Sequence, residues 1–224
     1  MFREINELIE ARETAGSLDQ ALDLLGDLKL EHPRIDRVRG KIAHVYFYKG
    51  LFARLGEKEP YFEAGMESAL EAIQLNPRAF YAHYWYGTNL GYLGIERGSI
   101  SILSYIDTIR ESLEIVLGSN ERFFFGGPHR VLGILFHRAP GFPMSIGDLT
   151  RARFHLERCV ELAPDFFPNR LHLAEYYCDI SAIEEAREQL HWLADTPLNP
   201  GHAQEDMICK MRAAALMENM PDQA

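Results

Sequence analysis

The chain has 224 residues, enough for one sizeable core, and its 47% hydrophobic and 25% charged content is ordinary for a folded, water-exposed protein and excludes extended disorder. A formal net charge of −10, from 33 acidic and 23 basic residues, opposes a phosphate backbone and excludes nucleic acid as a partner. No apolar run approaches the roughly eighteen residues of a transmembrane segment, and Met1 leads into the polar Phe2-Arg3-Glu4-Ile5-Asn6-Glu7, not into a basic and then greasy leader. That opening predicts a cytoplasmic location, with a periplasmic one as the alternative if a leader has been removed.

In chain order, Arg3 to Glu13 predicts an amphipathic helix, Gly16-Ser17 a turn and cap, and the run to Glu31 a second helix. Ile35 to Leu55 reads as a long helix with the aromatic cluster Tyr46, Phe47 and Tyr48. Gly56 to Pro60 is a turn, with Pro60 in the first turn of the next helix, where a missing N–H is tolerated, and Asn76-Pro77 ends that helix. Phe80 to Leu93 carries Phe80, Tyr81, Tyr84, Trp85, Tyr86 and Tyr92; aromatics on every face predict burial all round or a cavity wall. Gly94 to Gly98 is expected to loosen the chain before a helix from Ile100 to Leu117.

Residues 118–149 are the least regular. Phe123-Phe124-Phe125-Gly126-Gly127-Pro128 predicts an apolar turn leading into a helix from His129 to His137. Ala139-Pro140-Gly141-Phe142-Pro143 is too rich in proline for a helix and apolar enough to pack back on the fold or line an opening. After Pro200 a last helix, Glu205 to Met217, carries Met207, Met211 and Met217 and is expected to cap the end of the array.

One spacing recurs four times: Ala21, Leu25, Leu28, Pro33; Gly65, Ala69, Ala72, Pro77; Ala152, Leu156, Cys159, Pro164; and Ala186, Leu190, Leu193, Leu198. Steps of four and three keep side chains on one helix face, and the terminal proline stops the helix where it lacks an N–H. A second pattern, large, small, then large three later, is set by Ile42, Ala43, Tyr46; Tyr86, Gly87, Leu90; Leu132, Gly133, Phe136; and Leu173, Ala174, Tyr177. Closely packed helices need a small side chain at the crossing with bulky neighbours in the grooves beside it. The register from Ala152 to Ala186 is 34 residues, the tetratricopeptide period, while Ala21 to Gly65 is 44 and Gly65 to Ala152 is 87. The expectation is an all-α, tetratricopeptide-like helical-hairpin repeat array, an α-solenoid with insertions, in a single domain over residues 1–224.

Chemistry-bearing motifs are missing. Cys159, Cys178 and Cys209 lack the paired spacing of a zinc site and read as buried apolar residues, although a disulfide stays open. Of the nine histidines, His129 with His137, or His155 with His172, could be drawn together by folding, but none stands three or four from another on one helix. No phosphate loop, dinucleotide fingerprint or nucleophile elbow occurs. The chain is therefore expected to bind and not to catalyse, with no cofactor and no metal.

Helical-hairpin arrays bind on the face built by the first helix of each pair. Side chains one turn from the packing positions project there: Arg37, His44 and Tyr48; Tyr81, Tyr84 and Thr88; Arg130, His137 and Arg138; and Glu175. Cations mixed with rings suit a protein partner through an extended or acidic segment, or a small hydrophobic or anionic ligand. The alternative is that these side chains satisfy helix ends and contacts between repeats.

The run Gly127-Pro128-His129-Arg130-Val131-Leu132-Gly133-Ile134-Leu135, the segment Ala139 to Asp148, Ala152 to Pro164, Asn169 and Ala174-Glu175-Tyr176-Tyr177 resemble the T-component family of TRAP-type solute transporters. Asn76-Pro77, Tyr84-Trp85-Tyr86-Gly87 and Asn89-Leu90-Gly91 extend the resemblance upstream. It implies a lipid-anchored periplasmic repeat protein, trimeric as an assembly, that docks a periplasmic solute-binding protein through a pore or cleft. The departure is at the amino terminus, because such proteins carry a leader ending in a lipid-modified cysteine and the first cysteine here is Cys159. A peptide-binding cytoplasmic adaptor is the alternative role, and animal regulators of microtubule dynamics have similar repeats.

Overall fold

The computed structural model describes residues 2–220. Within them lie α1 (Arg3–Glu10), α2 (Ser17–Glu31), α3 (Asp36–Phe52), α4 (Glu59–Leu75), α5 (Phe80–Arg97), α6 (Ser99–Asn120), α7 (Phe123–Arg138), α8 (Leu149–Leu162), α9 (Phe167–Asp179), α10 (Ile183–Asp195) and α11 (Ala203–Glu218). Among the described residues there is no strand, and Gly141 and Gly147 form one isolated bridge.

Two compact units divide the chain, the first ending at Phe123 and the second beginning at Phe124. In the first, each helix from α1 to α5 packs on its successor, and α3 also packs on α5. In the second, α8, α9, α10 and α11 pack in succession, and α9 also packs on α11. Contact with the next helix and with the next but one is the pattern of stacked hairpins.

The spaced small and apolar residues are what these contacts bury. Ala21 and Leu25 of α2, Ala69 and Ala72 of α4, Ala152, Leu156 and Cys159 of α8, and Ala186, Leu190 and Leu193 of α10 are all buried. The small residues set the approach of neighbouring helices: a Cβ on Gly65 would stand 2.4 Å from Asn89 Oδ1, and one on Gly133 2.6 Å from Leu156 Cγ. Asn89 in turn donates from Nδ2 to the carbonyls of Ala43 at 3.2 Å and Trp85 at 2.8 Å, tying α5 to α3.

Three local expectations are corrected. α5 does not loosen at Gly94 but runs on to Arg97, because Gly94 is buried where α6 crosses and its absent side chain admits Ile102, whose Cβ would lie 2.9 Å from an added Cβ. Gly16, at φ 83°, caps α2, and Ser17 is its first residue without a side-chain capping bond. The loop after α7 does not pack its apolar tip inward, since Phe142 and Met144 are 93% and 81% exposed.

Candidate functional site

In the first unit the expected face is built by α1 and α3 and continues onto α5. Arg37 and Lys41 are one turn apart on α3, and both approach the ring of Phe2, at 5.3 and 5.8 Å from its centroid. Lys41 also bonds Asn6 of α1. Arg12, in the turn after α1, stacks over Tyr48 at 4.6 Å. His44 lies face to face with Trp85 of α5, centroids 3.9 Å apart. Burial lowers the Lys41 pKa, and Arg37 lowers it further while Glu10 opposes. Burial also holds His44 well below its ordinary value, with Lys41 and then Arg12 adding to it, so the ring is neutral at pH 7. Arg12, Arg37 and Lys41 thus act on common neighbours as one positive field within a chain of net charge −10.

Other expected residues of this unit serve packing. Tyr48 and Tyr84 are buried, Tyr84 meeting Trp85 and Phe123 edge-on at 4.9 and 5.2 Å. Thr88 is buried on the same helix. Tyr81 fills the space left by Gly40, and its hydroxyl pKa is raised by burial and then by Asp36.

In the second unit the structure brings His137, Arg138 and Glu175 together with residues that the spacing did not single out. Glu175 of α9 meets His172 Nδ1 at 3.1 Å, Arg138 of α7 at 3.5 Å, and Arg212 of α11. Asp179, one turn on, accepts from His137 Nε2 at 3.0 Å and from Arg138 at 2.8 Å. Burial pushes the Glu175 carboxyl up, but the His172 ring and the guanidinium groups of Arg212 and Arg138 outweigh it and hold it at about 2. The His137 pKa is lowered by burial and by Arg138, against the pull of Asp179 and Glu175. This ladder is internally compensated and joins α7, α9 and α11.

Arg130 is placed inside the same unit. Its guanidinium donates to Asn169 Oδ1 at 2.8 Å and stacks over Phe166 at 5.0 Å and Phe124 at 5.9 Å. Asn169, fully buried, donates to the carbonyls of Cys159 at 2.8 Å, Phe125 at 3.0 Å and Ala163 at 3.3 Å. The bond to Phe125 fastens a turn whose residues Phe124, Phe125 and Gly126 are all left-handed, at φ 48°, 60° and 70°. That conformation is costly for the two phenylalanines and persists only where neighbours hold it. Arg130 and Asn169 do so.

Histidine pairing differs from both arrangements that the sequence left open to folding. His129 and His155 face each other, Nδ1 to Nδ1 at 2.9 Å, buried between α7 and α8. Burial, then His129 and Arg151, lowers the His155 pKa to about 4. Cys159, Cys178 and Cys209 are free thiols, and no group of three or more metal-ligating side chains occurs among the described residues.

Sequence spacing could have found part of what it missed. Lys41 stands four from Arg37 and three before His44 on one helix, and Asp179 stands four from Glu175, so both fall on faces already marked. Arg12 lies outside the repeated pattern, and Asn169 and Arg212 reach their partners across 39 and 37 residues, where no local period applies.

Comparison with known proteins adds two findings. The family model described as Regulator of microtubule dynamics protein 1-3 matches residues 1–122, more than half of the chain. The crystal structure of a thermophilic TPR protein of Thermus thermophilus is similar, at 18% identity and a TM-score of 0.66, over 91% of this chain and 92% of that one. At that identity the likeness is one of fold. A comparison with curated proteins gives no match.

Proposed function

The chain belongs to the family of regulator of microtubule dynamics proteins 1-3, and from that membership and its tetratricopeptide-like fold we propose that it is a non-catalytic docking scaffold that holds an acidic segment of a protein partner. It works as one repeat domain, and the seat is the α1/α3 face with its continuation onto α5. The observation that carries this reading is the grouping of Arg37 and Lys41 at the Phe2 ring with Arg12 over Tyr48. A carboxylate arriving there relieves the repulsion that Arg37 exerts on Lys41 and gains charge-assisted hydrogen bonds. His44, stacked on the buried Trp85, backs the seat with an uncharged ring.

Regulation of microtubules, the role in the family's name, is proposed for this chain through the same face. Docking a periplasmic solute-binding protein, as a trimer, is supported only by the resemblance across residues 127–177 and its upstream extension at residues 76–91. Neither the matching family nor the Thermus protein carries a transporter in its name.

The test is fluorescence anisotropy with a labelled glutamate-rich peptide. Arg37→Glu with Lys41→Glu is expected to weaken binding at least ~10-fold, and the affinity of the unaltered chain to fall with added salt. Equal affinity of variant and parent would remove this face from consideration. Co-sedimentation with polymerised tubulin, with the same variant as control, tests the microtubule role separately.

A further inference from the structure

The loop between α7 and α8 has a tip that no packing explains. Residues 139–147 contain no charged side chain, and Phe142 and Met144 stand 93% and 81% exposed. Large apolar side chains raised this far into water mark a contact surface when they belong to an ordered segment.

Order here comes from the backbone. The Gly147 N–H donates to the Pro140 carbonyl at 2.9 Å, and Asp148 N–H donates to Phe136 O at 3.0 Å, closing the base of the loop. At the tip, Met144 and Ser145 both donate to the Gly141 carbonyl, at 3.1 and 3.3 Å, and Pro143 has no N–H to satisfy. Gly147 makes the closure geometrically feasible, because a Cβ there would lie 2.1 Å from the Ala139 carbonyl oxygen. With the Met144 and Ser145 amides already bonded, the tip leaves water at a lower penalty than an open loop.

The sequence flanking this tip carries a charge opposite to that of the chain. From residue 138 to 158 the charged side chains are Arg138, Arg151, Arg153 and Arg158 against Asp148 and Glu157, in a molecule of net charge −10. Arg151 is exposed and lies at 3.9 Å over the ring of Phe136, the residue whose carbonyl accepts the loop's closing bond. Arg138 meets Asp179 and Glu175, Arg153 meets Glu157, and Arg158 meets Glu161. The last two are partly exposed surface pairs, which contribute little and exchange readily for another anion, whereas Arg138 is held by the buried Glu175.

We propose that the loop of residues 139–147 docks the chain on a membrane surface, with Phe142 and Met144 inserted among the acyl chains and Arg151 at the level of anionic phospholipid headgroups. The combination is the one an interfacial anchor requires: an apolar wedge braced by backbone hydrogen bonds, and an exposed cation at its base. No helix among the described residues is long and apolar enough to cross a membrane, so this contact is peripheral. It is reversible by salt and independent of the peptide seat on the first unit.

Vesicle flotation tests it, using phosphatidylcholine with about 30% phosphatidylserine beside pure phosphatidylcholine. The chain is expected to float with the anionic vesicles, and Phe142→Ser with Met144→Ser to lose at least ~10-fold in partitioning at an unchanged melting temperature. Arg151→Glu should lose several-fold on the anionic vesicles alone. The Phe142→Trp variant should shift its emission to the blue when those vesicles are added. The proposal is overturned if the parent chain fails to float, if the double serine variant floats as well as the parent, or if the emission of the Phe142→Trp variant stays put, which would assign the tip to a protein partner.

Discussion

Asn169→Ala is the sharpest probe of how the second unit is held. The side chain is fully buried and makes one bond to the Arg130 guanidinium and three to carbonyls of residues that lie in different elements. Two of the carbonyl bonds are well formed, at 2.8 and 3.0 Å, and contribute about 1 kcal/mol each. The bond to the buried guanidinium is charge-assisted and contributes about 2 kcal/mol. Alanine removes all of them, leaves the Phe125 and Cys159 carbonyls without that donor, and frees a turn with two left-handed phenylalanines. The expected loss is about 4 kcal/mol, which for a chain of this length lowers the melting temperature by roughly 8–16 °C. Urea unfolding read by Trp192 in a Trp85→Phe background isolates the second unit, because the chain has two tryptophans, one in each unit. Arg130→Met should be non-additive with Asn169→Ala by about 1–3 kcal/mol in a double-mutant cycle. A stability change below about 1 kcal/mol, or strict additivity, would refute the account of Arg130 as the residue that secures the turn.

Further outcomes follow from the same contacts. His155 titrates at about 4 in the folded chain against about 6.5 unfolded, so the neutral ring is favoured by folding; its contribution is full above pH 6.5 and falls by up to about 3 kcal/mol as pH drops to 4. His155→Gln should flatten that window in urea midpoints taken against pH, and a parental slope in the variant would count against the buried His155 as its source. Glu175, held at about 2, gives a separate loss between about pH 4.5 and 2, which Glu175→Gln should abolish. Gly65→Ala should cost about 2 kcal/mol or more, since Asn89 Oδ1 occupies the space, whereas Gly87→Ala meets Leu113 at an ordinary 3.4 Å and should be neutral or slightly stabilising. Equal effects of the two in thermal melts would mean that the crossing at Gly65 is not as close as described.

Much of this protein was legible in the order of its residues. An α-helix converts steps of three and four into a face, so Ala152, Leu156 and Cys159, or Ala186, Leu190 and Leu193, announce a buried stripe before any coordinates exist, and a proline at the end of the step announces where the helix stops. Two local signals misled. Gly94 has the composition of a breaker but serves as a contact point, because absence of a side chain favours a turn and a close helix crossing alike. Residues 139–143 are apolar and so read as packing back on the fold or lining an opening, yet hydrophobicity drives a side chain inward only where a groove is there to receive it, and the closed backbone of this loop points Phe142 and Met144 the other way. The candidate sites divide similarly. Arg37, His44 and Lys41 share a face by helical period alone, whereas the pairing of Arg130 with Asn169, of His129 with His155, and of Glu175 with Arg212 was decided by tertiary packing. Spacing along one helix is fixed by its pitch, while the distance between side chains on different helices depends on how every residue between them packs, and burial and charge are set by that distance.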